Sequence, residues 1–237
     1  MDKLNVIIRF LFVVTGMSLL LYSCLDLDTE KAYLGDAYVV SKIVGSDTLY
    51  SLESYVSSNT AVAHTSMEFP KGTSSVDLTC VTTGYYEYFN GSDYSRVKPQ
   101  IGDYSFSITF EDSTVVKTTD QLTDTIAPFI TYKGVEPAGV LGCMLFHWEK
   151  NARADYYMVK ILKDDKVVYS SGNLSDSTLT VHANDNEWIS GVTPEDGEEF
   201  DVVLFGVVVD NYSSKYTKIQ SISQSAIFPF VWKDKNL

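Results

Sequence analysis

Almost nothing between residues 36 and 237 repeats its apolar positions at the spacing of a helix. Short runs rich in Val, Ile, Tyr, Phe and Thr recur instead, at 37–44, 76–81, 104–110, 144–148, 156–162 and 200–209. Clusters of Gly, Asn, Asp, Ser and Pro separate them. Bursts of β-branched and aromatic residues punctuated by turn formers predict an all-β chain built as sandwiches or barrels. A strand sends alternate side chains to opposite faces. Met144, Phe146 and Trp148 therefore share one face, as do Tyr157, Val159 and Ile161, and as do Tyr104, Phe106, Ile108 and Phe110. Cys80 shares a face with Val76 and Leu78 and is expected as a small core residue.

Ahead of this pattern, Lys3 and Arg9 precede an apolar run from Phe10 to Tyr22 that only Thr15, Gly16 and Ser18 interrupt. Such a run is shorter than the ~20 residues a helix needs to cross a bilayer, and it matches the apolar region of a secretory signal. It ends in Leu21-Tyr22-Ser23-Cys24, which resembles the lipobox of bacterial lipoproteins, with Tyr22 in place of the usual small or β-branched residue. The resemblance implies a signal peptide over 1–23, acylation at Cys24, and the membrane as a partner through that lipid anchor. Several acyl chains together hold stably where one binds only marginally. Asp26, Asp28 and Glu30 follow directly, in a tether over 24–35. That acidic stretch resembles the export tag of surface-exposed lipoproteins of Gram-negative gut anaerobes. It implies a lipid-anchored protein on the cell-surface side of the outer membrane.

Polar residues ahead of Pro128, in Thr123-Asp124-Thr125-Ile126-Ala127-Pro128, suggest a boundary between two domains, 36–125 and 126–237. Each is the size of a two-sheet sandwich. In the second, Trp148, then Tyr157-x-Val159-x-Ile161, then a bend at Pro194 into Phe200-x-Val202 resembles a fibronectin type III domain over roughly 126–230. The resemblance implies a seven-stranded sandwich with Trp148 in its core. Phe200 stands where that family usually has Tyr, so the hydroxyl of a tyrosine corner is missing there. In the first domain, the entry Gly102-x-Tyr104-x-Phe106 is similar to immunoglobulin-like modules of bacterial surface proteins. The expected fold class is all-β: two tandem β-sandwiches, immunoglobulin-like then fibronectin type III-like, after a lipoprotein signal peptide.

Charge narrows the function. Against 18 Lys and Arg stand 31 Asp and Glu, a net of −13. Loss of Asp2, Lys3 and Arg9 with the signal leaves −14. That field repels a polyanion, so no nucleic-acid partner is expected. His64, His147 and His182 lie far apart, with no H-x-H or H-E-x-x-H spacing, so no metal and no cofactor are expected. There is no G-x-S-x-G elbow and no glycine loop to cradle phosphate. Nothing in the sequence points to a histidine beside Cys80 or Cys143. Asp164-Asp165, Glu195-Asp196, Glu198-Glu199 and the run 184–187 read as solvated turn acids rather than calcium ligands. No catalytic residue is assigned.

One segment stands apart. Residues 84–94 hold five aromatics, Tyr85, Tyr86, Tyr88, Phe89 and Tyr94, beside Glu87, Asn90 and Asp93. Aromatic faces stacked on sugar rings, with carboxylates and amides on the hydroxyls, make a glycan-binding surface. Tyr85, Tyr86, Tyr88 and Tyr94 are the candidate contacts. Equally, the segment reads as a buried strand pair turning at Asn90-Gly91, a strong hairpin signal. The expected function is a non-catalytic binding or accessory module of the cell surface, with glycan as the candidate ligand. The alternative is a structural spacer or a docking module for an envelope protein partner. Asp47-Thr48-Leu49, Asp112-Ser113-Thr114, Asp124-Thr125-Ile126 and Asp176-Ser177-Thr178 also resemble O-glycosylation sites of exported proteins from such anaerobes.

Overall fold

The computed structural model describes residues 31–82, 86–189, 191–210 and 218–233. The signal, Cys24, most of the acidic tether and Tyr85 lie outside these residues. The described chain is all β apart from a single 3-10 turn at Pro70–Gly72.

Eight strands make the N-terminal half. They are β1 (Tyr33–Val44), β2 (Asp47–Ser58), β3 (Val62–Glu68), β4 (Ser75–Asp77), β5 (Thr79–Thr82), β6 (Glu87–Gly91), β7 (Gly102–Phe110) and β8 (Val115–Leu122). The order β1-β2-β6-β5 faces a second sheet, β4-β3-β7-β8, which is an immunoglobulin-like sandwich. β1 and β2 form a hairpin paired along its whole length, from Tyr33↔Ser58 to Val44↔Asp47, and it turns at Gly45, whose φ is +63°. Only two residues span that turn, a length that favours positive φ and hence glycine. The core between the sheets holds Val39, Leu52, Val56, Met67, Tyr104, Phe106, Ile108 and Phe110, and the alternation read from the sequence at 104–110 is the face that fills it. Gly35 is required there, because a Cβ at this position would lie 2.6 Å from the Phe106 ring. At the entry to β7 the Tyr104 hydroxyl donates to Gln100 O at 2.6 Å.

The expectation for Cys80 is corrected. Val76 and Leu78 do turn toward the core, but Cys80 is exposed. The run at 76–81 breaks at Leu78: its first piece, β4, joins one sheet and its second, β5, joins the other as the outermost strand. At that edge the inward-pointing side overhangs the core.

The C-terminal half comprises β9 (Tyr132–Pro137), β10 (Cys143–Trp148), β11 (Tyr156–Lys163), β12 (Lys166–Ser170), β13 (Thr178–His182), β14 (Glu199–Val209), β15 (Ile219–Gln224) and β16 (Phe228–Val231). Three strands, β13-β10-β9, lie over β12-β11-β14, whose far edge pairs with β15 along one stretch and β16 along another. Trp148, Trp188 and Trp232 meet in this core with Phe146, Phe200 and Phe230. Trp188 packs edge-on against both Tyr169 and Trp232, with ring centroids 5.0 and 5.8 Å apart. Where the ladders break, buried serines take over the backbone: Leu204 N–H donates to Ser225 Oγ and Val159 N–H to Ser171 Oγ, both at 2.9 Å.

The two halves share one sheet. β1 pairs with β15 in parallel, in the register Val39↔Ser221, Val40↔Ile222, Ser41↔Ser223 and Lys42↔Gln224. The result is a nine-stranded sheet: eight strands run β12-β11-β14-β15-β1-β2-β6-β5, β16 pairs with β14 off that path, and both cores lie on the same side. The connecting segment threads beneath β15. Ala127 N–H donates to Ser221 Oγ at 2.8 Å, and Ser223 Oγ donates to Pro128 O. Gly206 admits that passage, since a Cβ there would lie 2.8 Å from Pro128 O.

A buried charge cluster closes the junction beside this ladder. Asp120 accepts from Ala37 N–H at 2.8 Å and from Lys218 Nζ at 3.0 Å, while Asp36 accepts from Ile219 N–H at 2.9 Å. Burial first, and then the neighbouring Asp120 charge, push the Asp36 carboxyl up to about 8, against the Ile219 hydrogen bond. Asp210 is raised in the same direction by burial and by Asp120. Asp36 Oδ1 has no donor, and a proton on it has the Asp120 carboxylate within reach.

Candidate functional site: the outer face of the shared sheet

The segment that stood out in the sequence does not act as one surface. Tyr85 lies outside the described residues. Tyr86, at φ +49°, packs half-buried against the N-terminal core. Tyr88 belongs to that core: it is 9% exposed and its hydroxyl donates to Val62 O at 2.6 Å. The hairpin reading of Asn90-Gly91 fares no better, because β6 continues through both residues, paired with β2. Tyr94 alone faces outward, 36% exposed, with Lys42 Nζ 3.7 Å from its ring centroid. Its hydroxyl is pushed up by burial and by the nearby charge of Glu53.

Glu53 leads to the rest of the site. Register places Asp36, Tyr38, Val40 and Lys42 of β1 on the side away from the cores, level with Tyr55, Glu53, Ser51 and Leu49 of β2. β6 adds Glu87 and Phe89, β15 adds Ile222, β14 adds Val203, Phe205 and Val207, and β11 adds Tyr156, Met158 and Lys160. The face is aromatic and apolar across both halves. Val40, Val203 and Val207 belong to neither core, yet all three are buried, Val207 completely. They form a floor below the taller Tyr38, Tyr156, Met158 and Phe205.

β2 and β11 are four strand spacings apart, about 19 Å on a flat sheet. Long side chains lean across part of that span: the Lys160 charge bears on Glu53, and the Asp36 charge bears on Tyr156 across three spacings.

Polar groups on this face are paired with each other. The Tyr38 hydroxyl hydrogen-bonds Glu53, and burial together with that carboxylate drives the phenol far above its ordinary range. Burial raises Glu53, while the Tyr38 hydrogen bond and Lys160 pull it back. Tyr55 donates to Glu87 Oε1 at 2.7 Å, and the Lys160 ammonium sits 5.1 Å from the Phe205 ring centroid.

Sequence reasoning found Tyr94 and missed the others. The signal was present as a loss of alternation: 156–162 and 200–209 are apolar at nearly every position, which is how a strand reads when both its faces are covered.

Two further groups bear on chemistry. The structure corrects the expectation for Cys143, whose Sγ lies 2.8 Å from His182 Nδ1, its register partner across β10 and β13. Burial and the Asp185 charge push this thiol up, and it is 2% exposed. A buried thiol held protonated is a poor nucleophile and donates to the imidazole instead. His147 lies outward as the alternation required, with Nε2 3.1 Å from Glu136 Oε1. Among the described residues no three His, Cys, Asp or Glu side chains are placed to hold a metal, and no helix is long and apolar enough to cross a membrane.

No family model matches this chain, and no curated protein does. Solved structures similar to it include the BSP domain of a biofilm-associated protein, at 12% identity and a TM-score of 0.24. That match covers 80% of this chain and 28% of the other, so the chain spans well under a third of its length. A structure of titin Ig tandem domains matches at 11% identity and a TM-score of 0.23, over 83% of this chain and 97% of that one.

Proposed function

We propose that this chain is a non-catalytic envelope lipoprotein, acylated at Cys24, exposed on the outer membrane, and working as a surface binding module. In this reading the second sandwich is fibronectin type III-like, supported by its three-over-four strand arrangement and by Trp148 in the core. The contact surface is the outer face of the shared sheet rather than the 84–94 segment. One observation carries that choice: the β1–β15 ladder joins two half-buried apolar faces into one surface. A contiguous apolar surface of that kind marks an interaction site.

The test is made on the full-length chain in a Gram-negative host. Cys24→Ala releases the protein from the membrane fraction and abolishes palmitate labelling, and the native chain is accessible to protease added to intact cells. A photo-crosslinking residue at Met158 captures a ligand or partner that the same residue at Val140, in the exposed loop between β9 and β10, does not. Equal capture at both positions would sink the assignment of the face. A second reading, a rigid spacer, draws on the same ladder, because a continuous sheet stiffens the junction. A spacer would give no capture at either position.

A further inference from the structure

We infer that the outer face of the shared sheet takes a neutral glycan chain, lying across the strands from Tyr94 to Tyr156. The inference rests on the face being the contact surface proposed above, and it adds the chemical class of the occupant. Tyr94, Tyr38, Phe205 and Tyr156 stand along a path of about five strand spacings, ~24 Å, with Tyr94 lying beside β2 where Ser95 bridges Tyr50. That length suits an oligosaccharide rather than a single sugar. Tyr38, Phe205 and Tyr156 are half-buried and fixed by their neighbours, which supplies apolar contact area at little entropic cost, and Tyr94 is the exposed end of the path. Ring faces suit the C–H faces of pyranoses, and the floor of Val40, Val203 and Val207 excludes water beneath them.

Polar groups sit where sugar hydroxyls would fall. Glu53 and Glu87 already accept from tyrosine hydroxyls and retain lone pairs for further donors. The Lys42 and Lys160 ammoniums lie over the Tyr94 and Phe205 rings. On their flexible stems they can swing aside to donate to a hydroxyl while a sugar ring replaces them. Charge argues for neutrality. Lys42 and Lys160 face Glu53 and Glu87, with Asp36 buried at the margin of the face, whereas the whole chain carries −13 and repels an acidic polymer.

The experiment is affinity electrophoresis of the full-length chain, purified in detergent, through gels containing xyloglucan, galactomannan, mixed-linkage β-glucan or polygalacturonate. At least one neutral polysaccharide should retard the native chain. Phe205→Ala and Tyr156→Ala should each weaken that retardation tenfold or more with an unchanged melting temperature, and Val140→Ala should leave it as native. Should either variant fail to fold, Lys160→Ala with Lys42→Ala, both half-buried on flexible stems, should still weaken it threefold or more. Retardation by polygalacturonate alone, lost in the same variants, would overturn neutrality and keep the face. Retardation by a neutral glycan that survives every outer-face variant would overturn both. If no polysaccharide retards the chain, the glycan inference falls, and capture from Met158 decides whether the face stands for a protein partner.

Discussion

All three tryptophans of the chain sit in the core under β9–β16, whereas the core under β1–β8 holds none and is filled by Tyr104, Phe106, Ile108, Phe110, Met67 and smaller aliphatics. The halves also lock their corners differently. The N-terminal half has the Tyr104 hydroxyl on Gln100 O, a bond back to the backbone a few residues upstream. In the C-terminal half the corresponding strand begins with Phe200, and a tyrosine on another strand does similar work: Tyr157 donates to Asn151 O at 3.0 Å and accepts from Asn151 N–H at 2.7 Å. A sandwich needs a filled interior and anchored loops, and it is indifferent to which strand provides the anchor. The half with the fainter sequence resemblance is the one that keeps the corner hydrogen bond in place.

The largest expected effect breaks the comparison at its aromatic end. Trp232→Ala removes a fully buried ring that packs on Trp188 and Phe200, and costs about 3–5 kcal/mol of stability in urea denaturation. Because every tryptophan lies in one half, indole fluorescence follows that half alone, while far-ultraviolet circular dichroism follows both. The shared sheet predicts coincident transitions for the two signals. Separated midpoints would show that the halves unfold independently.

Next comes the junction between them. Asp36 has its carboxyl raised from the ordinary carboxylate range to about 8, so the folded state holds an extra proton between about pH 4 and pH 8. Stability should therefore be greatest at the acid end of that window and should fall as pH rises through it. Asp210, raised in the same sense, adds to the slope. Asp36→Asn keeps the shape without the titration, so its melting temperature should change less with pH. An equal slope in the variant would remove Asp36 as the cause.

Ser223→Ala tests the threading of the connector. It leaves the buried Pro128 carbonyl without its hydroxyl donor and should cost about 1–3 kcal/mol. The smallest effect sharpens the placement of Tyr88. Tyr88→Phe deletes only the bond to Val62 O and should cost about 1 kcal/mol, with no loss of ligand or partner capture. A loss of capture would return Tyr88 to the contact surface.

Much of the architecture was legible because the interior is written in a local code. The alternations at 104–110 and 144–148 became β7 and β10, and the apolar run at 156–162 became β11. Leu78 shows where that code fails: an unbroken alternation across 76–81 conceals a switch from one sheet to the other. Such a switch depends on which strands compete for the segment. The outer face was hidden for a related reason. Tyr38, Glu53, Phe205 and Tyr156 come from strands far apart in sequence, and only the β1–β15 register brings them onto one face. Their apolar positions were visible, but an apolar residue on the wrong face of a strand has no meaning until the partner strands are known. The aromatic cluster at 84–94 misled because density of aromatics along the chain says nothing about which side of a strand each ring takes.

The parallel ladder also sets an order of events during synthesis. Ser41 Oγ and the Ile222 carbonyl to which it donates are separated by 181 positions, so one edge of β1 stays open until β15 has been made. β2 can zip onto β1 at once, since their hairpin is local, but the other edge waits for β15. Closing so long a loop is slow relative to local pairing. Throughout that interval the unpaired part of β1 is a template for any stray strand, the exposure that promotes aggregation. A chain of this design therefore gains from being held unfolded until β15 is available, and the pairing of β1 with β15 completes both halves together.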